Sequence, residues 1–189
     1  MITTSDFKRG LRILIDGDPY TILDTFVQTP SARGASSLAK VKVRNLKTGQ
    51  VFDKTFRTGE KFEEPDLERR PLQYLYFDGE HRVFLDQDSY EQVLATDDDL
   101  GEDARFLYDG MELKALFFEG AILGLELPPT LEYEVVDVEP GTRGDTARGS
   151  VTKPAVMNNG LRVQVPLFVQ QGERIRVSTA DGRFAERVR

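Results

Sequence analysis

The chain has 189 residues, with 25 Lys or Arg against 32 Asp or Glu, so its formal net charge is −7. It contains no cysteine and one histidine, which excludes disulfides, thiolate metal sites, thiol catalysis and multi-histidine metal centres. No apolar run approaches the roughly 18 residues of a membrane helix, and residues 1–6 do not resemble a signal peptide. We therefore expect a cytoplasmic protein without membrane contact.

The charge is distributed unevenly over three segments, which we divide at Pro65 and Pro129 because proline cannot continue a strand ladder. Residues 1–64 carry a net charge of +3, residues 65–128 of −11 and residues 129–189 of +1. No acid lies between Asp24 and Asp53, an interval that contains Arg33, Lys40, Lys42, Arg44 and Lys47. This pattern indicates an oriented encounter with a polyanion, and ordinary solvated charge remains the alternative.

The first segment predicts a small β-barrel or curled sheet. Its apolar stretches at 11–15 and 20–23 flank the run Asp16-Gly17-Asp18-Pro19, which is typical of a hairpin turn. Two further strands are predicted at 38–46 and 51–56, joined by a turn at 47–50. The first of these alternates, with Ala39, Val41 and Val43 on one face and Lys40, Lys42 and Arg44 on the other.

The second and third segments show the same pattern of short strands joined by tight turns. Strands are predicted at 72–77, 82–85, 113–118, 121–127, 131–138, 161–165, 175–178 and 184–188. Turns are predicted at Asp78-Gly79, Glu119-Gly120, Asn159-Gly160 and Asp181-Gly182. Residues 97–107 predict one short helix, with Thr96 as its N-cap and acidic residues at its positive end. Each segment therefore fits a five-stranded barrel, for which the oligonucleotide-binding (OB) fold is the natural candidate.

The sequence contains no constellation of catalytic or metal-binding residues. Asp97-Asp98-Asp99 lacks the alternating ligand spacing of a calcium loop and fits a solvated helix start. His81 follows a turn, where we expect it to be exposed without acting as a base. Tyr74, Tyr76 and Phe77 could stack on RNA bases, but their strand spacing favours core packing and cross-strand pairing. We predict no catalytic residue, no metal and no cofactor.

Two loops are candidates for contact with RNA. In residues 29–37 small side chains surround Arg33, which fits either a flexible hairpin loop or a slim probe that carries a planar cation into an RNA cleft. Residues 141–150 are rich in glycine but lack the Gly-Lys-Ser/Thr ending of a phosphate loop. They fit either a connector or a loop that presents N–H groups and guanidinium forks to phosphates.

Several motifs carry a resemblance to a known family. They are Asp6-Phe7, Gly17-Asp18-Pro19-Tyr20, Lys54-Thr55-Phe56, Gln73-Tyr74-Leu75-Tyr76, Gly144-Asp145-Thr146, Lys153-Pro154-Ala155, Val165-Pro166-Leu167-Phe168 and Gly172-Glu173-Arg174-Ile175. With them the chain resembles the bacterial translation elongation factor P family along essentially its whole length. The resemblance implies an SH3-like (KOW-type) domain at 1–64 and OB-fold domains at 65–128 and 129–189, arranged as a tRNA-like L.

The resemblance also implies a function. Family members bind the 70S ribosome between the peptidyl and exit sites and promote peptide-bond formation at consecutive prolines. Their implied partners are peptidyl-tRNA and ribosomal RNA, and we expect a monomer that is not an enzyme. An alternative is a cold-shock-like protein that binds free single-stranded RNA through exposed aromatic residues, although a segment of charge −11 would repel such RNA.

The resemblance assigns three groups of residues. The tip that contacts peptidyl-tRNA maps to Pro30, Arg33 and Gly34. The basic strand maps to Lys40, Lys42 and Arg44, and the RNA loop of the third domain maps to Arg143, Gly144, Asp145, Thr146 and Arg148. Many members carry a modified lysine or a rhamnosylated arginine on a short tip. The loop of this chain is longer, as in the subgroup that includes the elongation-factor-P-like paralogue, and it fits either a modified or an unmodified Arg33.

Overall fold

The computed structural model describes residues 1–28, 37–140 and 151–188, whose regular structure is mostly β-sheet. The described residues form two five-stranded sheets, one four-stranded sheet and one two-stranded sheet. The predicted all-β class is therefore confirmed. Within the described residues, no helix has the length and apolar character needed to cross a membrane.

The N-terminal strands form a four-stranded sheet in the order β2-β3-β4-β5 and a separate pair, β1-β6. The strands are β1 (Ile2–Thr3), β2 (Arg12–Ile15), β3 (Asp18–Gln28), β4 (Leu38–Asn45), β5 (Val51–Arg57) and β6 (Lys61–Phe62). A 3-10 helix at Thr4–Asp6 follows β1. Their shared core consists of Phe7, Ile13, Ile15, Tyr20, Ile22, Val41, Val43 and Phe62. Apolar residues thus occupy one face of β4 and leave its opposite face to solvent.

The turn between β2 and β3 shows why the sequence predicts this hairpin. Ile15 pairs with Asp18, so the connection consists of two residues, Asp16 and Gly17. Their φ angles are 53° and 84°, as a type I′ turn requires. Aspartate tolerates this backbone region and glycine enters it freely, so the Asp-Gly pair determines the turn. The predicted hairpin is confirmed.

The middle of the chain forms a five-stranded sheet in the order β11-β10-β7-β8-β9. The strands are β7 (Leu67–Phe77), β8 (Arg82–Asp86), β9 (Gln92–Ala95), β10 (Glu112–Phe118) and β11 (Ala121–Glu126). The helix predicted at 97–107 is confirmed in position, but its α-helical part, α1, is only Asp97–Leu100, and a 3-10 helix follows at Gly101–Phe106. Gly101, with a φ of 61°, ends the α-helix.

The C-terminal sheet has the order β14-β13-β12-β15-β16. Its strands are β12 (Thr130–Val138), β13 (Thr152–Met157), β14 (Arg162–Pro166), β15 (Arg174–Ser178) and β16 (Phe184–Arg187). The central strand β12 buries Leu131, Tyr133 and Val135. The sequence analysis missed β1, β6 and β9, which are short, and β13, which contains Pro154.

The described chain forms two compact units. One comprises Met1–Arg69 and Leu116–Leu123, and the other comprises Arg70–Ala115 and Gly124–Arg189. The second unit therefore contains most of the middle sheet and the whole C-terminal sheet.

Candidate nucleic-acid interface

The three predicted strand cations lie at alternate positions along the solvent face of β4, which is between β3 and β5. Burial alternates along the strand without interruption, so that Ala39, Val41 and Val43 are buried while Lys40, Lys42 and Arg44 are exposed. Successive residues of a strand point to opposite faces, and the apolar residues hold this register by packing into the core. The predicted alternation is confirmed, whereas its role in RNA binding stays a prediction.

A β-bulge in β3 determines which side chains accompany these cations. Ile22 pairs with Val43, but the next paired residue is Asp24, opposite Lys42, so Leu23 is the extra residue. A single extra residue reverses the alternation of everything that follows it. The bulge therefore moves the following residues of β3 to the opposite face from the one that continuous alternation would give them.

Phe26 is the residue most affected by the bulge. Uninterrupted alternation from the buried Tyr20 and Ile22 would point Phe26 into the core. Instead it lies on the solvent face opposite Lys40, with 66 % of its surface exposed. Sequence analysis did not identify this residue as a site candidate. The signal that could have found it is Asp24, a charged residue at a position that uninterrupted alternation would bury.

Together these side chains form what we call the cation face, three rows that cross β3, β4 and β5. The rows are Phe26–Lys40–Thr55, Asp24–Lys42–Asp53 and Thr21–Arg44–Val51. The sequence between Asp24 and Asp53 contains no acid. In the folded sheet, however, Asp24 and Asp53 themselves lie on either side of Lys42. A groove of about 370 Å³ lies along this region, and its lining includes Phe26, Lys40 and Lys42.

The fifth cation of the acid-free interval, Lys47, has a different role. Its Nζ lies 2.7 Å from the Asp18 Oδ1 and 5.3 Å from the centre of the Phe118 ring. The hydrogen bond to Asp18 raises the pKa of Lys47. This cation is therefore engaged within its own unit, whereas Lys40, Lys42 and Arg44 make no ion pair with any residue that the structure describes.

The two predicted RNA loops fall outside the described residues. Pro30, Arg33 and Gly34 belong to the segment 29–36, and Arg143, Gly144, Asp145, Thr146 and Arg148 to the segment 141–150. The flanking strands do fix the connections. The β3–β4 pairing extends to Gln28 and Leu38, so residues 29–36 belong to the connection between two adjacent antiparallel strands. Residues 141–150 likewise connect the paired strands β12 and β13.

The acids at the start of α1 have structural partners. The Thr96 N–H donates to the Asp99 carboxylate at 2.8 Å, and the Asp99 N–H donates to the Thr96 hydroxyl at 3.3 Å, as in a capping box. Asp97 accepts two hydrogen bonds from the Arg82 guanidinium, at 2.8 and 3.2 Å, which lower the pKa of Asp97. No group of three potential metal ligands occurs among the residues that the structure covers.

The exposure of His81 and of the aromatic residues of β7 differs in part from what the sequence predicts. The His81 side chain is 31 % exposed and its Nδ1 lies 3.5 Å from the Asp78 Oδ2, so it is half-buried rather than fully exposed. Tyr74 packs in the core as expected, but Tyr76 and Phe77 are about half exposed. A β-bulge between Tyr74 and Tyr76 breaks the alternation that the core assignment assumed.

Three family models match consecutive parts of the chain. The KOW-like domain of elongation factor P matches residues 3–62, its OB domain matches residues 67–125 and its C-terminal domain matches residues 131–187. Together they cover nearly the whole chain. The expected three-domain fold, a KOW-like domain followed by OB-type domains, is therefore confirmed.

Solved structures agree with this fold. The initiation factor 5A from Methanococcus jannaschii is similar at 24% identity and a TM-score of 0.55, covering 66% of this chain and 92% of that one. A translation initiation factor eif-5a family protein from Naegleria fowleri is similar at 14% identity and a TM-score of 0.51, with 67% and 94% covered. At these identities the likeness concerns the fold. From the three family models, which match along its length, the chain belongs to the elongation factor P family of translation factors.

Proposed function

We propose that this protein is an elongation factor that binds the ribosome between the peptidyl and exit sites and promotes peptide-bond formation at consecutive prolines. Membership of the elongation factor P family carries the proposal. The cation face supports it, because its exposed cations lie on the strand that directly follows residues 29–36, which include Arg33. A partner rich in phosphate would be attracted by the positive charge of both features.

The physical role that we propose is orientation of peptidyl-tRNA. Proline is a poorly reactive partner because its constrained backbone disfavours the geometry of attack, and holding the reacting groups in place reduces that cost. The protein would act in the cytoplasm as a monomer, with ribosomal RNA and peptidyl-tRNA as partners. It would use neither a cofactor nor a catalytic side chain of its own.

Each predicted site has a separate role in this mechanism. Pro30, Arg33 and Gly34 form the tip, where the planar guanidinium of Arg33 contacts the end of the tRNA. Lys40, Lys42 and Arg44 bind phosphates and position the tip without reading sequence. The loop that contains Arg143, Gly144, Asp145, Thr146 and Arg148 contacts RNA at a second point.

Replacement of the tip arginine tests the proposal. In a purified translation system, Arg33→Ala should abolish the stimulation of a Pro-Pro-Pro reporter and leave a proline-free reporter unchanged. The reason is that small misplacements at a reacting centre can cost about 100-fold in rate, whereas one tip residue adds little to a binding surface spread over three domains. Sedimentation with 70S ribosomes should therefore show nearly unchanged binding. Full activity of the variant on the proline reporter would refute the proposed role of Arg33.

Two further measurements define the chemistry at the tip. Arg33→Lys keeps the charge but not the planar bidentate fork, so we expect partial rescue at best. Intact-mass measurement of protein purified from its native host should show an unmodified Arg33, and an added hexose-like mass on the peptide of residues 29–36 would contradict this.

A second candidate function is binding of free single-stranded RNA. The half-exposed Tyr76 and Phe77 favour it, because aromatic rings on an OB sheet stack on bases. Two observations oppose it: Arg82 already covers Phe77, with its guanidinium 4.4 Å from the ring centre, and residues 65–128 carry a net charge of −11, which repels free RNA. Tight binding of free RNA without sedimentation on ribosomes would favour this second function.

A further inference from the structure

Phe26 makes no ring contact and no cation–π contact with any residue that the structure describes. It is the most exposed of the twelve phenylalanines, although it lies within an 11-residue strand beside a well-packed core. Single exposed apolar residues are common on protein surfaces and need no explanation alone. Phe26 differs because a specific backbone feature, the bulge at Leu23, turns it away from the core and places it among cations.

The neighbours of Phe26 supply the remaining parts of a nucleotide site. Lys40 is directly opposite on β4, so its Cβ lies about 4.5–5.5 Å from that of Phe26. Thr55 completes the row and contributes a hydroxyl. No acid lies in this row, whereas the next row holds Asp24 and Asp53. The aromatic ring is thus paired with a cation that, unlike Lys42, has no carboxylate directly across from it.

An aromatic ring beside a cation is the combination with which proteins bind unpaired nucleotides. The ring stacks on the base, which presents an apolar face in every nucleotide, and the cation holds the backbone phosphate. A duplex cannot use the ring because its bases are already stacked on one another. A protein partner fits less well, because the ring lies beside Lys40 and Lys42 and the core of a protein interface is depleted of charged residues.

We propose that Phe26 is a stacking platform for one unpaired RNA nucleotide, with Lys40 holding the adjacent phosphate. The proposal rests on the proposed function in that it takes RNA to be the partner of the cation face. It adds base stacking to a surface otherwise assigned only to phosphate contacts. It also explains the bulge at Leu23, because the bulge places the ring on that surface.

The test exploits the absence of tryptophan from the chain. Phe26→Trp creates a single indole at the proposed platform, and a stacked base quenches its fluorescence. The variant is titrated at low salt with a hexamer of adenylate RNA and with an abasic hexamer that carries the same phosphates. We expect quenching by the adenylate hexamer and none by the abasic one. Equal quenching by both, or by neither, overturns the proposal.

A second variant measures the contribution of the native ring. Fluorescence anisotropy with end-labelled hexamers should show that the wild-type protein prefers the adenylate hexamer by roughly tenfold, as expected for one stacked base. Phe26→Leu should lose this preference and bind both hexamers as the wild type binds the abasic one. Retention of the preference by Phe26→Leu overturns the proposal as well.

Two controls separate this proposal from its premises. Leu94→Trp places an indole at a residue of similar exposure, 54 %, in the acidic middle sheet, where neither hexamer should quench it. Sedimentation of the wild-type protein with 70S ribosomes reports on the proposed function alone. Ribosome binding with no base-dependent quenching would reject the platform and keep the function, whereas base-dependent quenching without ribosome binding would do the reverse.

Discussion

Lys42 differs from its two neighbours on the cation face, because a carboxylate lies beside it on each flanking strand. Asp24 and Asp53 both pair with Lys42 in register, and directly opposed Cβ atoms are about 4.5–5.5 Å apart. Two negative charges at this range cancel much of the attraction that Lys42 exerts on an approaching phosphate. The sequence does not reveal this, because Asp24 and Asp53 are far from Lys42 along the chain.

Single substitutions should therefore separate the three cations. We expect Lys40→Ala and Arg44→Ala each to lower the slope of log affinity against log salt for ribosome binding by about one, because each releases counterions from RNA. Lys42→Ala should lower it by less than half as much. Binding measured at four or more salt concentrations gives these slopes.

The control for this series is Lys114→Ala, an exposed lysine on β10. It should leave the slope unchanged. All four variants should keep the stability of the wild type within about 0.5 kcal/mol, as substitutions at solvent-facing positions usually do. Equal effects of Lys40→Ala, Lys42→Ala and Arg44→Ala would contradict the idea that Asp24 and Asp53 shield Lys42.

At the scale of elements, turns are predictable from sequence and bulges are not. The Asp16-Gly17 turn requires positive φ at both residues, and few residue types tolerate that, so the residues themselves indicate the turn. The bulge at Leu23 depends on how β3 pairs with β4. Local residue preferences do not indicate that pairing. The strand cations follow from alternation alone, whereas Phe26 has only the indirect signal of Asp24 and the acids that flank Lys42 are revealed only by the strand pairing.

The start of α1 illustrates the same limit. The sequence predicted Thr96 correctly as the N-cap, because the cap and its partner Asp99 are close in sequence. The partner of Asp97 is Arg82, at the start of β8, and only the folded sheet brings the two together. A helix as short as α1 is not stable alone. This ion pair stabilises it by connecting it to the sheet.

The Arg82–Asp97 pair should make stability depend on pH. Hydrogen bonds from Arg82 lower the pKa of Asp97, so the folded state favours the carboxylate. The stabilisation is therefore complete above the ordinary aspartate pKa of about 3.9 and is lost as the pH falls through the lower folded value. Asp97→Asn should reduce stability at pH 7 by less than about 1 kcal/mol, because the Asp97 side chain is 55 % exposed.

Urea unfolding at pH 7 and below pH 4 measures this effect. The difference between the wild type and Asp97→Asn should shrink as the pH falls through the lowered pKa of folded Asp97, below which both proteins lack the charge. Asp98→Asn is the matched control, since no ion pair of Asp98 occurs among the described residues, and it should show no such pH dependence. A difference that stayed constant with pH would contradict a role for the Asp97 charge.

At the scale of the whole molecule, side chains of the second compact unit donate hydrogen bonds to backbone carbonyls that lie far from them in the sequence of the same unit. The buried Tyr133 hydroxyl donates to the Phe106 carbonyl at 2.6 Å. The Asn159 Nδ2 donates to the carbonyls of Arg105 and Leu107, both at 3.1 Å. These bonds link the end of the 3-10 helix at Gly101–Phe106 to strands of the C-terminal sheet. Sequence identified Asn159 only as part of a turn, because its acceptors lie more than 50 residues away.

These contacts indicate that the 3-10 helix and the β13–β14 hairpin open together. Asn159→Ala leaves two carbonyls without their donor, and because one bond is exposed and the other only part-buried, the cost should be about 0.5–1.5 kcal/mol. Hydrogen exchange should then accelerate both in Gly101–Phe106 and in β13 and β14, since one opening exposes both. Asn158→Ala, which alters the exposed neighbour in the same turn, should leave exchange in both regions at the wild-type rate. Faster exchange confined to the hairpin in Asn159→Ala would show that the two elements open independently, and the unit would then contain two cooperative parts.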